Sequence, residues 1–414
     1  MMRNPISPNS LPVRKLAAAL LLTFASGAQM FAKDAMQWEE VSVLPPAKGE
    51  LIQMGVAGAF AGAHGDVLMI GGGANFPQGL PWEGGPKVWW DTVFVLERKT
   101  TDTSVTYDWA EEQGKLPAAA AYGVSVPLDD GVLCIGGCNA KACFTDVFAL
   151  RWDTTKRAVE VVNYPPLPRP LAFMAGARVG DWVFVAGGQE AVDGGRATKD
   201  FFGLNLAQQA AGGDAFKWVE LPAWDGPARI LPVVAGQGDS LYLWSGRKPD
   251  AEGGPTEILT DAYSYDITGK TWSKMPGVGA GEGMPRCIMA AASCAAPGGD
   301  GILVFGGADG VVMQMLEHNG RKARSSNKSE AEAFGRFNIA LLENHPGFSR
   351  EVISFDPATG AWTGIGSFPD LCPVTTPAVT WGESIFLPSG EVRPGVRSGR
   401  IWKGTVVKIA ETIK

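Results

Sequence analysis

A glycine pair, or a serine–glycine pair, recurs six times in this 414-residue chain and constrains the fold more than any other feature. Each pair ends a short apolar stretch rich in β-branched and aromatic residues. Repeats some 50 residues apart with a double glycine are typical of propeller blades, whereas a single glycine pair commonly marks only a β-hairpin turn. The last glycines of the six pairs, Gly73, Gly137, Gly188, Gly246, Gly307 and Gly390, lie 51 to 83 residues apart.

The residues around each pair predict a four-stranded blade. A stretch of small residues and a polar turn precede the pair, as suits an innermost strand crowded around an axis. A strand with a tryptophan and a closing proline ends several repeats, as in FKWVELP and KTWSKMP. An acidic residue opens the third strand in five repeats, namely Asp91, Asp146, Asp200, Asp261 and Glu351. The sequence therefore predicts an all-β, six-bladed propeller of the kelch type.

The two ends of the chain are expected to close the ring. The sixth repeat stops after its third strand, GTVVKIAETIK, and so lacks a fourth strand. Residues 36–45, MQWEEVSVLP, have the tryptophan-to-proline pattern of a fourth strand but precede the first blade. We expect this N-terminal strand to complete the last blade, because pairing there removes an exposed edge. The predicted propeller is a single domain over residues 36–414.

Two long insertions interrupt the repeat, over residues 73–91 and 307–351. The first is rich in glycine and aromatic residues, and the second contains a polar stretch at residues 329–344 for which we predict a helix. Long loops on a closed scaffold are commonly functional, so both are candidate rims or lids of a site.

The N-terminus has the pattern of a signal peptide over residues 1–28. Arg3, Arg14 and Lys15 precede an apolar run that is too short to span a bilayer. Cleavage after Ala28 is expected, with Ala32 as the second choice and a retained membrane anchor as the alternative. The mature protein is then expected in the periplasm, with no membrane attachment. Loss of the three cations changes the formal net charge from −7 to −10, which disfavours a nucleic-acid partner.

No cofactor or metal is expected from the sequence. The six cysteines form no C-x-x-C pair, and three scattered histidines do not supply a zinc or copper site. No nucleophile elbow, H-E-x-x-H, Walker loop or dinucleotide fingerprint occurs. Cys138 and Cys143 either form a loop disulfide or remain buried thiols.

Two classes of position are expected to meet at one mouth of the channel. If the innermost strand runs down the channel and the second runs back, residues before the first strand and after the glycine pair share an end. The first class contains Arg169, Arg229 and Arg286. The second contains Asn75, Asn139, Gln189, Arg247, Asp309 and Glu391, followed by Arg393 and Arg397.

Several arginines aimed into one cavity of an acidic protein predict an anion site, because guanidinium groups bind carboxylates bidentately. The alternative is that each arginine caps a loop by bonding to carbonyl groups. Glu391 is the candidate general base of this cavity. Its alternative role is a salt bridge to Arg393 or Arg397.

Two segments resemble the kelch-type N-acetylneuraminate epimerases, also called sialic acid mutarotases, and in particular their cyclically permuted branch. Residues 390–397, GEVRPGVR, are similar to the family segment G-E-x-K/R-P-G-x-R, which carries its proposed proton acceptor. Residues 82–87, WEGGPK, followed by Trp90 and Asp91, are similar to the family's H/W-E-G-x-x-K insertion. The glutamate segment lies in a middle blade of better-known members and in the last blade here, and rotating the blade order by two restores the correspondence.

The resemblance implies that the protein interconverts the α and β anomers of N-acetylneuraminate. It implies that Glu391 takes the proton of the anomeric hydroxyl, while Arg397, Arg247 and Arg286 hold the sugar carboxylate. Arg393 stands where a lysine can occur in the family. Asn75, Glu83 and Lys87 are then expected at the rim, with Gln189, Arg169 and Arg229 as further binding residues. The competing hypotheses are a non-catalytic propeller that binds glycans or a protein, and an enzyme acting on another acidic sugar, such as an anhydro-sialic acid or a uronate.

Overall fold

A computed structural model describes residues 30–47, 49–192, 195–279 and 283–412. Residues 34–407 form one compact unit, and the described ends, residues 30–33 and 408–412, are extended strand in a second, small unit. The predicted signal peptide, residues 1–28, lies outside the described residues. In the part of the chain that is described, no helix is long and apolar enough to cross a bilayer.

The compact unit contains six small antiparallel sheets, one for each glycine pair, which confirms the predicted all-β, six-bladed propeller of the kelch type. A short extra strand, Gly114–Lys115, pairs with the third strand of blade 1. From the innermost strand outward, blade 1 contains Phe60–His64, Val67–Gly71, Thr92–Thr100 and Val105–Trp109; blade 2 contains Val124–Leu128, Gly131–Ile135, Val147–Asp153 and Ala158–Asn163; blade 3 contains Ala175–Val179, Trp182–Ala186, Phe201–Asn205 and Val219–Glu220. Blade 4 contains Val233–Gln237, Ser240–Trp244, Ala262–Asp266 and Thr271–Met275; blade 5 contains Ala292–Ala295, Ile302–Phe305, Glu351–Asp356 and Ala361–Ser367; blade 6 contains Val379–Trp381, Ser384–Arg393, Val396–Thr412 and Met30–Val43.

The N-terminal strand completes blade 6, as the sequence predicted. Met30–Val43 is the outermost strand of that sheet and pairs with Val396–Thr412. Trp38 on this strand packs edge-on against Phe305 and Phe368, with ring centroids 5.7 and 4.7 Å away. The strand therefore closes the ring through backbone pairing and through buried aromatic contacts with blade 5.

The glycine pairs exist because both positions have left-handed backbone. At the second position a side chain has no room: a β-carbon on Gly137 would lie 2.8 Å from Ala121 O, and one on Gly246 would lie 2.8 Å from Ile230 O. Only glycine combines positive φ with so close an approach of another backbone. This is why all six repeats retain the second glycine.

The first position of the pair accepts serine, which then joins neighbouring blades. Ser245 and Ser389 have φ of 56° and 63°. Ser245 Oγ accepts a hydrogen bond from Ile288 N at 3.1 Å, and Ser389 Oγ accepts one from Val56 N at 2.8 Å. These bonds connect blade 4 to blade 5 and blade 6 to blade 1.

A closed circle of six backbone hydrogen bonds surrounds the channel. In each blade one residue donates its amide hydrogen to the carbonyl of the equivalent residue in the neighbouring blade, at 2.7 to 3.0 Å. All six residues have φ between 52° and 69°. They line a narrow axial cavity of about 160 Å³. The circle contains Gly58, Tyr122, Phe173, Leu231, Ala290 and Thr375.

The second long insertion forms a helical hairpin, α1 (Val311–Ser325) and α2 (Lys328–Glu343). The predicted helix at residues 329–344 corresponds to α2, whereas α1 was not predicted. The side chains of Asn319 and Asn338 hydrogen-bond between the two helices at 2.7 Å. The remaining short elements are the strand pairs Ala74–Asn75 with Val88–Trp89 and Arg247–Lys248 with Glu257–Ile258, and the 3₁₀ turns Pro81–Glu83, Leu206–Ala211 and Gly213–Ala215.

Candidate active site

The residues before each innermost strand and after each glycine pair meet at one end of the channel. In every blade they form an isolated antiparallel bridge, one residue upstream of the hydrogen-bonded circle. The convergence inferred from strand direction is therefore present in all six blades. The bridges are Ala57 with Ala74, Ala121 with Cys138, Ala172 with Gln189, Ile230 with Arg247, Met289 with Ala308, and Val374 with Glu391.

A cavity of about 590 Å³ lies at this mouth beside blades 4, 5 and 6. Arg247 and Glu391 enter it from their bridges, and Arg286 and Asp309 line it from blade 5. Helix α1 lines it with apolar side chains, and the segment 345–349 after α2 forms another wall. The helical insertion thus contributes part of the cavity wall. The apolar lining includes Val312, Met313, Leu316 and Phe348.

Glu391 is held by one carboxylate oxygen and leaves the other free. Its backbone exchanges two hydrogen bonds with Val374, at 3.0 and 2.8 Å. Oε1 accepts hydrogen bonds from Gly395 N at 2.8 Å and from Arg397 Nη1 at 3.1 Å. Oε2 accepts none of the hydrogen bonds found among the described residues. One oxygen is therefore available to a ligand in the cavity.

All three nitrogen atoms of the Arg397 guanidinium contact groups of the protein. Its side chain is 4% exposed and stacks on Phe76 at 4.8 Å. Besides the ion pair with Glu391, Nε donates to Ala74 O at 3.3 Å and Nη2 lies 3.5 Å from Tyr122 Oη. Arg397 therefore positions Glu391 from the neighbouring strand.

Arg247 is the guanidinium group that is left available in the cavity. Within the described ranges it forms no ion pair with a carboxylate, and its Nε atom is buried with no hydrogen-bond partner. One of its terminal nitrogens contacts Met313 Sδ on α1. Burial lowers the pKa of Arg247, while the charges of Glu317 and Glu391 oppose that shift. A partly buried cation without a counter-ion is suited to an anionic ligand.

The three arginines before the innermost strands pair with the acids that open the third strands of the same blades. Arg229 is fully buried and donates to both oxygens of Asp261, at 3.0 and 2.8 Å. Of these three arginines, only Arg286 lines the cavity. Arg169 and Arg229 form ion pairs within their own blades and do not contribute to the cavity. The three pairs are Arg169 with Asp200, Arg229 with Asp261, and Arg286 with Glu351.

Arg393 lies between the Glu391 turn and the end of α2. Its Nη1 donates a hydrogen bond to Glu343 O at the end of α2, at 3.1 Å, and its buried Nε has no hydrogen-bond partner among the residues that the structure describes. No carboxylate among the described residues forms an ion pair with it. It therefore connects the helical insertion to blade 6 and retains an unmatched charge.

Asn75 and Gln189 are buried and bonded within the protein. Asn75 Nδ2 donates to Gly55 O at 2.9 Å, and its Oδ1 accepts from Trp90 Nε1 at 2.8 Å. Gln189 Nε2 donates to Ala191 O at 2.6 Å. Neither residue lines the cavity, and both shape the loops at its mouth.

Two charged residues of the insertion at residues 73–91 differ in their surroundings, since Glu83 is hydrogen-bonded within its own turn and Lys87 lies over aromatic rings. Glu83 Oε2 accepts from Leu80 N at 2.9 Å and so closes its own turn. Lys87 Nζ lies 4.4 Å from the Tyr122 ring and 5.2 Å from the Trp89 ring. It forms no ion pair with any carboxylate that the structure describes.

The two segments that carry the family resemblance touch each other. Gly395, in the turn after Glu391, has φ of 79°, and a β-carbon there would lie 2.7 Å from Pro81 Cγ and 3.0 Å from the Trp82 ring. The tight turn allows the first insertion to pack against the segment that holds Glu391.

His345 is a cavity residue that the sequence did not indicate. Its Nδ1 accepts a hydrogen bond from Gly347 N at 3.0 Å. Burial lowers its pKa, and the charge of Asp309 opposes this shift. The described residues contain no group of three or more His, Cys, Asp or Glu side chains arranged to hold a metal.

Comparison with known proteins gives one consistent family. A family profile described as N-acetylneuraminate epimerase matches residues 19–159 and 164–412. The N-acetylneuraminate epimerase of Pasteurella multocida (strain Pm70) is 31% identical over 261 residues, 63% of this chain and 63% of that protein. That of Haemophilus influenzae (strain PittEE) is 26% identical over 242 residues, 58% of this chain and 59% of that protein. The chain spans about three fifths of the length of these curated relatives that it matches.

A solved structure titled "Structure of YjhT" shares the fold. It superposes with a TM-score of 0.54 at 13% identity, over 86% of this chain and 97% of that chain. At this identity the likeness concerns the fold alone.

Proposed function

The chain belongs to the N-acetylneuraminate epimerase family, and we propose that it is a mutarotase that interconverts the α and β anomers of N-acetylneuraminate, a sialic acid. The observation that carries the proposal is the presence of two complementary groups in one cavity. Among the described residues, Glu391 has a carboxylate oxygen with no hydrogen-bond partner, and Arg247 has a guanidinium that forms no ion pair. A sugar acid presents a hydroxyl group and a carboxylate that match these two groups.

Interconversion requires the sugar ring to open and reclose. Glu391 Oε2 accepts the proton of the anomeric hydroxyl as the bond between the anomeric carbon and the ring oxygen breaks. The carbonyl group then rotates about its bond to the neighbouring carbon of the chain, and the former ring oxygen attacks the other face of the carbonyl. The proton that Glu391 took moves to the ring oxygen on opening and goes back, through Glu391, to the anomeric oxygen on closure, so that the reaction neither consumes nor releases a proton. One carbon–oxygen bond breaks and re-forms, and no atom changes its oxidation state, so the proposed chemistry needs no redox cofactor.

Arg397 and Arg247 have different roles in this proposal. Arg397 holds Oε1, which leaves Oε2 as the oxygen that meets the sugar. Arg247 binds the sugar carboxylate, which supplies the counter-ion that this guanidinium otherwise lacks. Arg286, Arg393 and Lys87 are the further cations at or beside the mouth. Arg169 and Arg229 are left out, because they pair with acids of the propeller blades and, unlike Arg286, do not line the cavity.

We further propose that the protein acts in the periplasm after removal of residues 1–28. The support is the sequence pattern of Arg3, Arg14 and Lys15 ahead of an apolar run that ends in small residues.

The proposed activity is tested by following freshly dissolved sialic acid by proton NMR. Purified protein is expected to shorten the time needed to reach anomeric equilibrium, relative to buffer alone. Equal rates with and without protein would contradict the proposal. If the sugar raises the unfolding temperature without faster interconversion, the protein is a binding propeller. Stronger stabilisation by a uronate or an anhydro-sialic acid would identify a different acidic sugar as the substrate.

A further inference from the structure

We propose that His345 is a catalytic residue of this cavity, in which a neutral imidazole donates a hydrogen bond through Nε2 to the ring oxygen of the sugar as the ring opens. This inference rests on the proposed mutarotase function. It assigns the hydrogen-bond donor to the ring oxygen, whose role is complementary to that of the base Glu391.

The hydrogen bond at Nδ1 determines where the imidazole carries its proton. Gly347 N donates to Nδ1 at 3.0 Å, so Nδ1 acts as an acceptor and the neutral ring carries its hydrogen on Nε2. The ring also packs edge-on against Phe348, with centroids 5.5 Å apart at 60°. These two contacts fix the ring in the cavity wall. Nε2 takes part in no hydrogen bond among the described residues, so this donor is left for a ligand.

The surroundings favour the neutral imidazole. Burial lowers the pKa of His345, and the charge of Arg393 acts in the same direction. The charges of Asp309 and Glu391 oppose the shift. The bond from Gly347 also occupies the lone pair that a second proton would need. At neutral pH the ring is therefore a hydrogen-bond donor without a net charge.

The proton balance of ring opening needs such a donor. When the bond between the anomeric carbon and the ring oxygen breaks, its electron pair remains on that oxygen. The Nε2 hydrogen stabilises this developing charge, and the proton that Glu391 removed from the anomeric hydroxyl then moves to the ring oxygen. His345 keeps its own proton throughout, since releasing it would create an imidazolate. Fixed donors aimed at developing negative charge typically contribute about 100- to 1000-fold to kcat.

The variants His345→Ala and His345→Gln test this role in the NMR assay. We expect H345A to lower kcat by roughly 100- to 1000-fold, as for loss of one fixed donor, with the KM for sialic acid changed by no more than a few fold. H345Q retains an N–H donor and is expected to lose less. His318→Gln is the matched control, because His318 is exposed on α1. We also expect the rate of the unmodified protein not to rise as the pH falls through about 6.5, the ordinary pKa of histidine.

Three results would overturn the inference. A normal kcat in H345A would show that the ring oxygen is stabilised by another group, while the mutarotase function would stand. A rate that rises on acidification and loses that rise in H345Q would identify a charged imidazolium as the donor. No catalysis by the unmodified protein would overturn the function and this inference together.

Discussion

Arg397 Nη1 lies 3.1 Å from Glu391 Oε1, across the hairpin that joins the second and third strands of blade 6. The same guanidinium reaches Ala74 O in blade 1 and lies near Tyr122 Oη in blade 2. The proposed base is thereby held in place by a residue that also joins three blades at the mouth of the channel. The activity should depend on that position as well as on the carboxylate itself.

Replacing Arg397 should slow the reaction without abolishing sugar binding. In Arg397→Lys the charge remains, but one ammonium group cannot reproduce the planar set of contacts. Misplacement of a reacting group by about 1 Å typically lowers the rate by about 100-fold. We expect a loss of that order in kcat from the NMR assay. Arg400→Lys, on the same strand but exposed, is the control and should be nearly normal; a normal rate in R397K would refute the positioning role.

Replacing Arg247 should weaken binding of the acidic sugar. Arg247→Gln removes the charge for which the sugar carboxylate is the proposed partner. Hydrogen bonds to charged groups contribute about 1.5–3 kcal/mol, so the dissociation constant should rise about 10- to 150-fold. Isothermal titration calorimetry measures it. Lys248→Gln alters the exposed neighbouring residue and should leave the affinity unchanged; equal effects of the two variants would argue against a carboxylate site at Arg247.

The buried ion pair of blade 4 should be important for stability. Asp261→Asn leaves the fully buried Arg229 without a negative partner. Breaking a buried pair in this way typically lowers the free energy of unfolding by about 3–5 kcal/mol. Glu351→Gln breaks the equivalent ion pair with Arg286. The side chains of Arg286 and Glu351 are 43% and 56% exposed, so this variant should lower the free energy of unfolding by no more than about 1 kcal/mol. Urea unfolding of both variants would distinguish them, and similar losses would contradict the assignment.

Cys138 and Cys143 should form a disulfide on mild oxidation. Both are free thiols in the structure, and their backbones form an antiparallel pair flanked on both sides by hydrogen bonds of 2.8 and 3.0 Å. Such a non-hydrogen-bonded pair places the Cα atoms about 4.5 Å apart, within the range of disulfides. A hydrogen bond with Cys138 lowers the pKa of Cys143, which favours its attack on a disulfide oxidant.

Oxidised glutathione is the reagent for this test. It should accept two electrons and leave the protein lighter by two hydrogen atoms in mass spectrometry, whereas the control Cys143→Ser cannot form this disulfide and should not lose that mass. Persistent thiols at both positions would show that the pair cannot close.

The blade pattern could be predicted from sequence because its causes are local. A left-handed backbone beside a close carbonyl admits only glycine at Gly137 and Gly246, so the repeat is visible in the sequence. Closure of the ring by an N-terminal strand could also be predicted, because residues 36–45 match the pattern of the fourth strand that the last repeat lacks. These features place Glu391 and Arg247 at the same end of the channel.

The ion pairs and the hydrogen-bonded circle could not be predicted, because they form between residues that are far apart in the sequence. Arg229 and Asp261 are 32 residues apart, and each belongs to a separate repeated pattern in the sequence. The hydrogen-bonded circle includes Phe173 and Leu231, whose positive φ is imposed by the neighbouring blades and has no glycine to mark it. His345 follows α2, and nothing in its immediate sequence indicates that it lines the cavity.

The rate of anomer interconversion by Glu391→Gln tests the proposed site most directly. Glutamine keeps the size of the side chain and an oxygen that can accept from Gly395, but it removes the base. At saturating sialic acid we predict a rate at least about 100-fold below that of the unmodified protein, with sugar-induced thermal stabilisation retained. An unchanged rate would show that Glu391 does not accept the proton and that the chemistry takes place elsewhere.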